Sequence, residues 1–163
     1  MKVANIMTRS VKVVRADTPM LEVVSAMCLY RISGLPVVEG DARLVGIVAE
    51  KDILAYMFPS PEDIMQNMAA LNLDDMMKKY KDIFRMRVTD LMTGNPITVK
   101  PDMHILKASA IMASHRFRRI PVAESDTLVG MLSLGDVHKA IFNANVQEAI
   151  GGSSGTLEEV SRD

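Results

Sequence analysis

Leu35-Pro36-Val37-Val38-Glu39-Gly40-Asp41-Ala42-Arg43-Leu44-Val45-Gly46-Ile47-Val48 returns, one residue shorter, as Ile120-Pro121-Val122-Ala123-Glu124-Ser125-Asp126-Thr127-Leu128-Val129-Gly130-Met131-Leu132. In each copy two apolar runs flank a short polar stretch, the pattern of a β-hairpin. The offset between copies is 85 residues before the polar stretch, from Pro36 to Pro121, and 84 after it, from Leu44 to Leu128. The lost residue falls in the turn, where a hairpin tolerates a deletion. A gap so placed marks a duplicated unit.

The duplication extends both ways. Upstream, Val3-Ala4-Asn5-Ile6-Met7-Thr8 returns as Val88-Thr89-Asp90-Leu91-Met92-Thr93. Lys12 to Val14 and Ile97 to Val99 read as short strands. Thr18, followed by Pro19, reads as the cap of a helix carrying Met20, Val23, Val24 and Met27 at helical spacing. Asp102 reads as the cap of its counterpart, which carries Ile105, Ala108 and Met112. Downstream, Ile53, Leu54 and Met57, and Val137 to Phe142, mark a last helix in each copy. Each unit is therefore β-α-β-β-α, and the fold class is α+β. A unit this small has a one-sided core, so the two copies are expected to pack on each other.

These repeats occupy 1–58 and 88–143, with a helical insertion at 59–87 between them. Ser60-Pro61-Glu62-Asp63 is a helix start, a cap followed by proline and acids. Ile64, Met68 and Leu71 are expected to continue that helix, and a second is expected from about Asp74 to Phe84. A hairpin packed on its own module is the plainer reading of this Met-rich segment; a docking surface is the other. Residues 144–163 read as a polar tail, with Gly151-Gly152-Ser153-Ser154-Gly155 linker-like.

The 163 residues are 48% apolar and carry a formal net charge of −1, so neither nucleic acid nor an anionic membrane is an expected partner. Met1 to Ser10 has no apolar segment of signal-peptide length and no apolar run approaches the ~20 residues needed to span a bilayer, so the expected compartment is the cytoplasm. Cys28, the one cysteine, sits in an apolar helical stretch and reads as a core residue. His104, His115 and His138 have no metal-ligand spacing, Cys28 has no evident base, and Ser133 lies in no nucleophile elbow. No metal site and no catalysis are expected. Aromatic residues are 4% with no tryptophan, which argues against an aromatic stacking cage.

Leu35-Pro36-Val37-Val38 … Leu44-Val45-Gly46-Ile47-Val48 … Asp52, its second copy through Ser133 and Asp136, and the openings Ile6-Met7-Thr8 and Leu91-Met92-Thr93 resemble the cystathionine-β-synthase (CBS) domain family. The resemblance implies a tandem pair of repeats packed in pseudo-twofold symmetry, with clefts between them and two modules pairing as a homodimer. It implies an adenosine-containing ligand (AMP, ADP, ATP or S-adenosylmethionine), no required cofactor, and a sensing role toward a separate regulated protein. A ligand-independent dimeric scaffold that docks partners through 59–87 is the alternative.

The family's ribose motif matches Gly130-Met131-Leu132-Ser133-Leu134-Gly135-Asp136. An ionised carboxylate accepts from both hydroxyls of a ribose, and a hydroxyl three residues earlier reaches the sugar or a phosphate. By residue type alone, Ser133 reads first as a helix cap and Asp136 as a partner of the helix dipole; the resemblance turns the reading toward ribose binding. Arg118 and Arg119 are the expected phosphate contacts, with His115 beside them. Ile97, Ile120, Pro121 and Val122 are the expected adenine walls, or plain core. In the first copy Asp52 is present, but Ala49 replaces the hydroxyl.

Overall fold

Two short strand pairs, each with one strand buried along four consecutive residues, organise the chain. The computed structural model describes residues 1–149. In the first repeat, helix α1 (Met20–Tyr30) leads to strands β1 (Gly34–Glu39) and β2 (Arg43–Ala49), then to α2 (Glu50–Met57). In the second, α6 (Ile105–Ser114), β4 (Arg119–Glu124), β5 (Thr127–Ser133) and α7 (Leu134–Ala149) follow the same order. Between them lie α3 (Pro61–Gln66), a 3-10 turn (Met68–Ala70), α4 (Leu73–Ile83) and α5 (Val88–Leu91), then the two-residue strand β3 (Thr93–Gly94). The strand order is β1-β2-β5-β4, with β3 on β2. The hairpins meet at their turns, where Leu44 N–H donates to the Asp126 carbonyl (2.8 Å) and Leu128 N–H to the Ala42 carbonyl (2.9 Å).

The two repeats exchange their leading segments. Thr8, at the head of the first repeat, pairs antiparallel with Met131 on β5 of the second. Thr93, at the head of the second, pairs with Ile47 on β2 of the first. The cores follow this exchange. Val3 and Met7 pack with Ile120, Val122 and Leu132, while Val88 and Met92 pack with Leu35, Val37 and Val48. Each packed core thus draws its leading segment from the other repeat.

Glycine makes the crossing possible. A Cβ on Gly130 would lie 2.8 Å from Met7 Sδ and 2.9 Å from the Thr8 carbonyl oxygen. On Gly46 it would lie 2.8 Å from Met92 Sδ and 3.0 Å from the Thr93 carbonyl oxygen. These two glycines of the repeated motif are needed so that backbone can cross backbone.

Several local expectations are corrected. The strands expected at Lys12–Val14 and Ile97–Val99 shrink to single parallel bridges, Val14 to Val37 and Val99 to Val122. Val14 N–H donates to the Pro36 carbonyl and Val99 N–H to the Pro121 carbonyl. The next ladder bond would need an N–H from the proline itself, which has none. Thr18 does not cap α1: its hydroxyl accepts from Arg15 N–H at 3.0 Å, and Pro19 occupies the cap position. Asp102 does not cap α6, because His104 Nδ1 accepts from Leu106 N–H at 3.3 Å instead. Cys28 is exposed, since the inward stripe of α1 ends at Met27.

The insertion also departs in detail. Ser60 does cap α3, accepting from Asp63 N–H at 3.1 Å. That helix stops at Gln66, and Asn72 starts α4 afresh by accepting from Asp75 N–H at 3.0 Å. Helix α4 lies against α2 and sends Ile83 into the first core, with Tyr80 and Phe84 packed edge-to-face beside it. Residues 144–149, expected in the tail, continue α7; Gly151 to Gly155 lie outside the described residues.

Candidate functional site

Ser133 ends β5 at the corner where α7 begins. Its hydroxyl accepts from Asp136 N–H at 3.1 Å, which satisfies a free donor of the first helical turn. The same hydroxyl donates to Asp136 Oδ2 at 2.6 Å, and Ser133 N–H reaches that oxygen at 3.3 Å. Both readings of these residues thus coexist: Ser133 is a helix cap, and the cap aims a carboxylate. The bonds all fall on Oδ2, so Oδ1 is left outside the box and can accept from a diol.

The corner opens on a cleft of about 310 Å³. Ser133, Asp136, Met131 and Leu132 form one side, and Leu35 and Pro36 of the first repeat face them. The first leader supplies Thr8, Ser10, Val11 and Lys12, and Arg119 stands at the seam with Gly34 and Ile32. Apolar walls, a hydroxyl–carboxylate pair and two cations together offer places for a base, a sugar and an anionic group.

Of the residues expected from sequence, Ser133, Asp136 and Arg119 come together here. Ile120, Pro121 and Val122 do not line it; their counterparts on β1, Leu35 and Pro36, equally buried, take that wall. Ile97 is 40% exposed and its counterpart Lys12 lines the cleft in its place. Arg118 points its side chain to solvent, while its carbonyl accepts from Leu134 N–H at 3.0 Å. His115 stacks on Phe117 at 5.2 Å, away from Ser133. The cause is the packing of the two repeats, which brings the strand–helix corner of the second against β1 of the first. Sequence reasoning grouped the second copy with itself and so missed Lys12, Leu35 and Pro36.

The first-repeat corner differs. Ala49 N–H donates to Asp52 Oδ2 at 2.8 Å, with no hydroxyl to share the carboxylate. Burial pushes the Asp52 carboxyl above its ordinary range, against the lowering effects of the Ala49 N–H and of Lys51. Lys51 stands at the repeat position of Gly135, and its ammonium lies 5.3 Å from the centre of the Phe117 ring. No His, Cys, Asp and Glu cluster among the described residues is suited to hold a metal ion. No helix among them is long and apolar enough to cross a membrane.

The model of the CBS domain matches residues 3–59 and again 88–143. The chain belongs to the CBS domain family. As a CBS pair it is 32% identical over 155 residues to an uncharacterized protein of Methanocaldococcus jannaschii, covering 87% of this chain and 92% of that one. It is similar to the crystal structure of CBSX2 from Arabidopsis thaliana in complex with AMP, with 26% identity and a TM-score of 0.68, covering 88% of this chain and 98% of the other. It also matches inosine-5'-monophosphate dehydrogenase of M. jannaschii at 28% identity, covering 85% of this chain but 23% of that enzyme. The match takes in only the CBS part of a larger enzyme, which agrees with reading this CBS pair as a regulatory, ligand-binding module.

Proposed function

We propose that this CBS pair is a regulatory module that binds an adenosine-containing ligand in the cleft beside Ser133 and Asp136. The observation carrying the reading is the hydroxyl–carboxylate box at the β5–α7 corner, opening on a cleft built by both repeats. Asp136 Oδ1 accepts from the ribose hydroxyls, Leu35, Pro36 and Val11 flank the base, and Arg119 meets the anionic end. The AMP held by the CBSX2 structure supports this class of ligand. The first-repeat corner, lacking the hydroxyl and bridged by Lys51 to Phe117, stays empty, so each chain takes one ligand.

A ligand regulates only if it binds two arrangements with different affinity. Association into a homodimer supplies the second arrangement. Leu21 and Leu106, equivalent in the repeats, are 51% and 55% exposed, and Phe58 and Phe142 are likewise equivalent and exposed. The scaffold reading keeps one observation of its own: Met65, Met68, Leu73 and Met77 of the insertion all face solvent.

Thermal shift with AMP, ADP, ATP, S-adenosylmethionine and a GTP control decides between them. A ligand at 100 times its dissociation constant adds about 2.7 kcal/mol, or roughly 5–10 °C for a chain of this size. That shift is expected with an adenosine compound, lost in Asp136→Ala and kept in Asp52→Ala. No shift from any compound on folded protein rejects ligand binding and leaves the insertion surface as the functional one.

A further inference from the structure

Helix α4 turns one side inward and leaves the next unpartnered. Met76 and Ile83 are buried and Tyr80 packs against the first core; at 3.6 residues per turn these three share one face. Leu73 and Met77, one turn apart, run along the edge of that face and are 68% and 53% exposed. Asp74 and Lys81 border this apolar stripe on its solvent side, both exposed, about 10.5 Å apart along the axis at a rise of 1.5 Å per residue. Asp75 and Lys79 pair with each other at 3.5 Å. Among the described residues, Asp74 and Lys81 form no ion pair.

The charges are ordered along the helix, acids at Asp74 and Asp75, then bases at Lys78, Lys79 and Lys81. A partner of one sign is repelled at one end of such a helix. An antiparallel copy of the same helix is attracted at both. A twofold axis passing between Met77 and Lys78 lies midway between Asp74 and Lys81, so it sets Asp74 of each copy opposite Lys81 of the other. Leu73 and Met77 of both copies then close against each other between the two ion pairs. A twofold interface requires this reciprocity, in which each residue meets its complement on an identical surface. Met65 and Met68, also exposed in the insertion, add adaptable apolar surface. We infer that α4 is a self-association surface on which a second copy of this chain docks antiparallel, through Leu73, Met77 and two reciprocal Asp74–Lys81 pairs. The surface belongs to the insertion and is separate from the exposed Leu21, Leu106, Phe58 and Phe142 of the repeats. The apolar stripe supplies affinity, while the ion pairs at its rim set orientation and exclude a parallel partner.

Sedimentation equilibrium of the full chain tests it. Wild type is expected to self-associate. Asp74→Lys and Lys81→Asp each turn both pairs into like charges and are expected to weaken that step at least about tenfold. An equimolar mixture of the two variants restores opposite charges at both positions and is expected to recover wild-type affinity, which misfolding of either variant cannot produce. High salt weakens the wild-type step and strengthens that of each single variant. Leu21→Lys combined with Leu106→Lys, on the repeats, leaves the step in place. A wild type that stays monomeric, single variants that associate like wild type, or loss of the step in the Leu21 and Leu106 variant would overturn the inference. A mixture that fails to recover would also overturn it, and would hand this face to a different protein.

Discussion

Ser133-Leu134-Gly135-Asp136 and Ala49-Glu50-Lys51-Asp52 sit at the same corner of two copies of one unit, yet they are built for different ends. Both carboxylates accept from the backbone N–H three residues earlier, at 3.3 Å for Asp136 and 2.8 Å for Asp52. That bond belongs to the fold, since it satisfies a donor at a helix start. Only at Ser133 does a hydroxyl add a second hold on the carboxylate, and there glycine, Gly135, stands where the first copy has Lys51. The duplicated scaffold keeps the carboxylate's bond to the backbone in both copies, while the hydroxyl that joins it is present in one.

The strongest test of the comparison asks what the corners share. Gly130→Ala and Gly46→Ala should each lower stability by about 1–3 kcal/mol in denaturant unfolding, because the new methyl meets a backbone oxygen as well as a methionine side chain, and the backbone cannot swing aside. Equal losses in the two variants support a symmetric exchange of leaders; a loss in one alone breaks it. A second test tries to abolish the difference. Ala49→Ser combined with Lys51→Gly gives the first corner the hydroxyl and the open approach, and calorimetric stoichiometry with AMP should rise from one per chain toward two.

Smaller effects sharpen the contrast. Ser133→Ala removes a cap and should cost about 1 kcal/mol of stability, alongside weaker ligand binding. Asp52→Asn keeps an acceptor for the Ala49 N–H and removes a charge that burial disfavours. Because the folded carboxyl titrates above its ordinary value of 3.8, the wild type loses stability as pH rises through the raised value. Thermal melts should therefore show the variant level with wild type near pH 3 and more stable at pH 7, a window that follows from the ordinary carboxylate range. The reverse order would mean that Lys51 and the Ala49 N–H outweigh burial.

Much of this was legible beforehand, and the misses have physical causes. The hairpins and the corner motif followed from apolar runs, turn residues and the repeat spacing. The strands at Lys12 and Ile97 were overread because a proline two residues into each partner strand ends the ladder, an effect of the partner and not of the strand itself. Thr18 and Asp102 have capping side chains, but Pro19 and His104 occupy the cap positions instead. Cys28 follows an apolar stripe that had already ended at Met27.

The amino-acid sequence alone determined that the chain is two copies of one α+β unit and that one copy has the Ser133–Asp136 pair, because periodicity and turn chemistry act between near neighbours. Tertiary structure alone decided that Ser133 and Asp136 face Lys12, Leu35 and Pro36 rather than Ile97, Ile120 and Pro121. A leader can pair with its own hairpin or with its twin's, and the two choices present nearly the same residues. The choice is made where Met7 and Met92 pass over Gly130 and Gly46, contacts between segments far apart in the chain that no local pattern records.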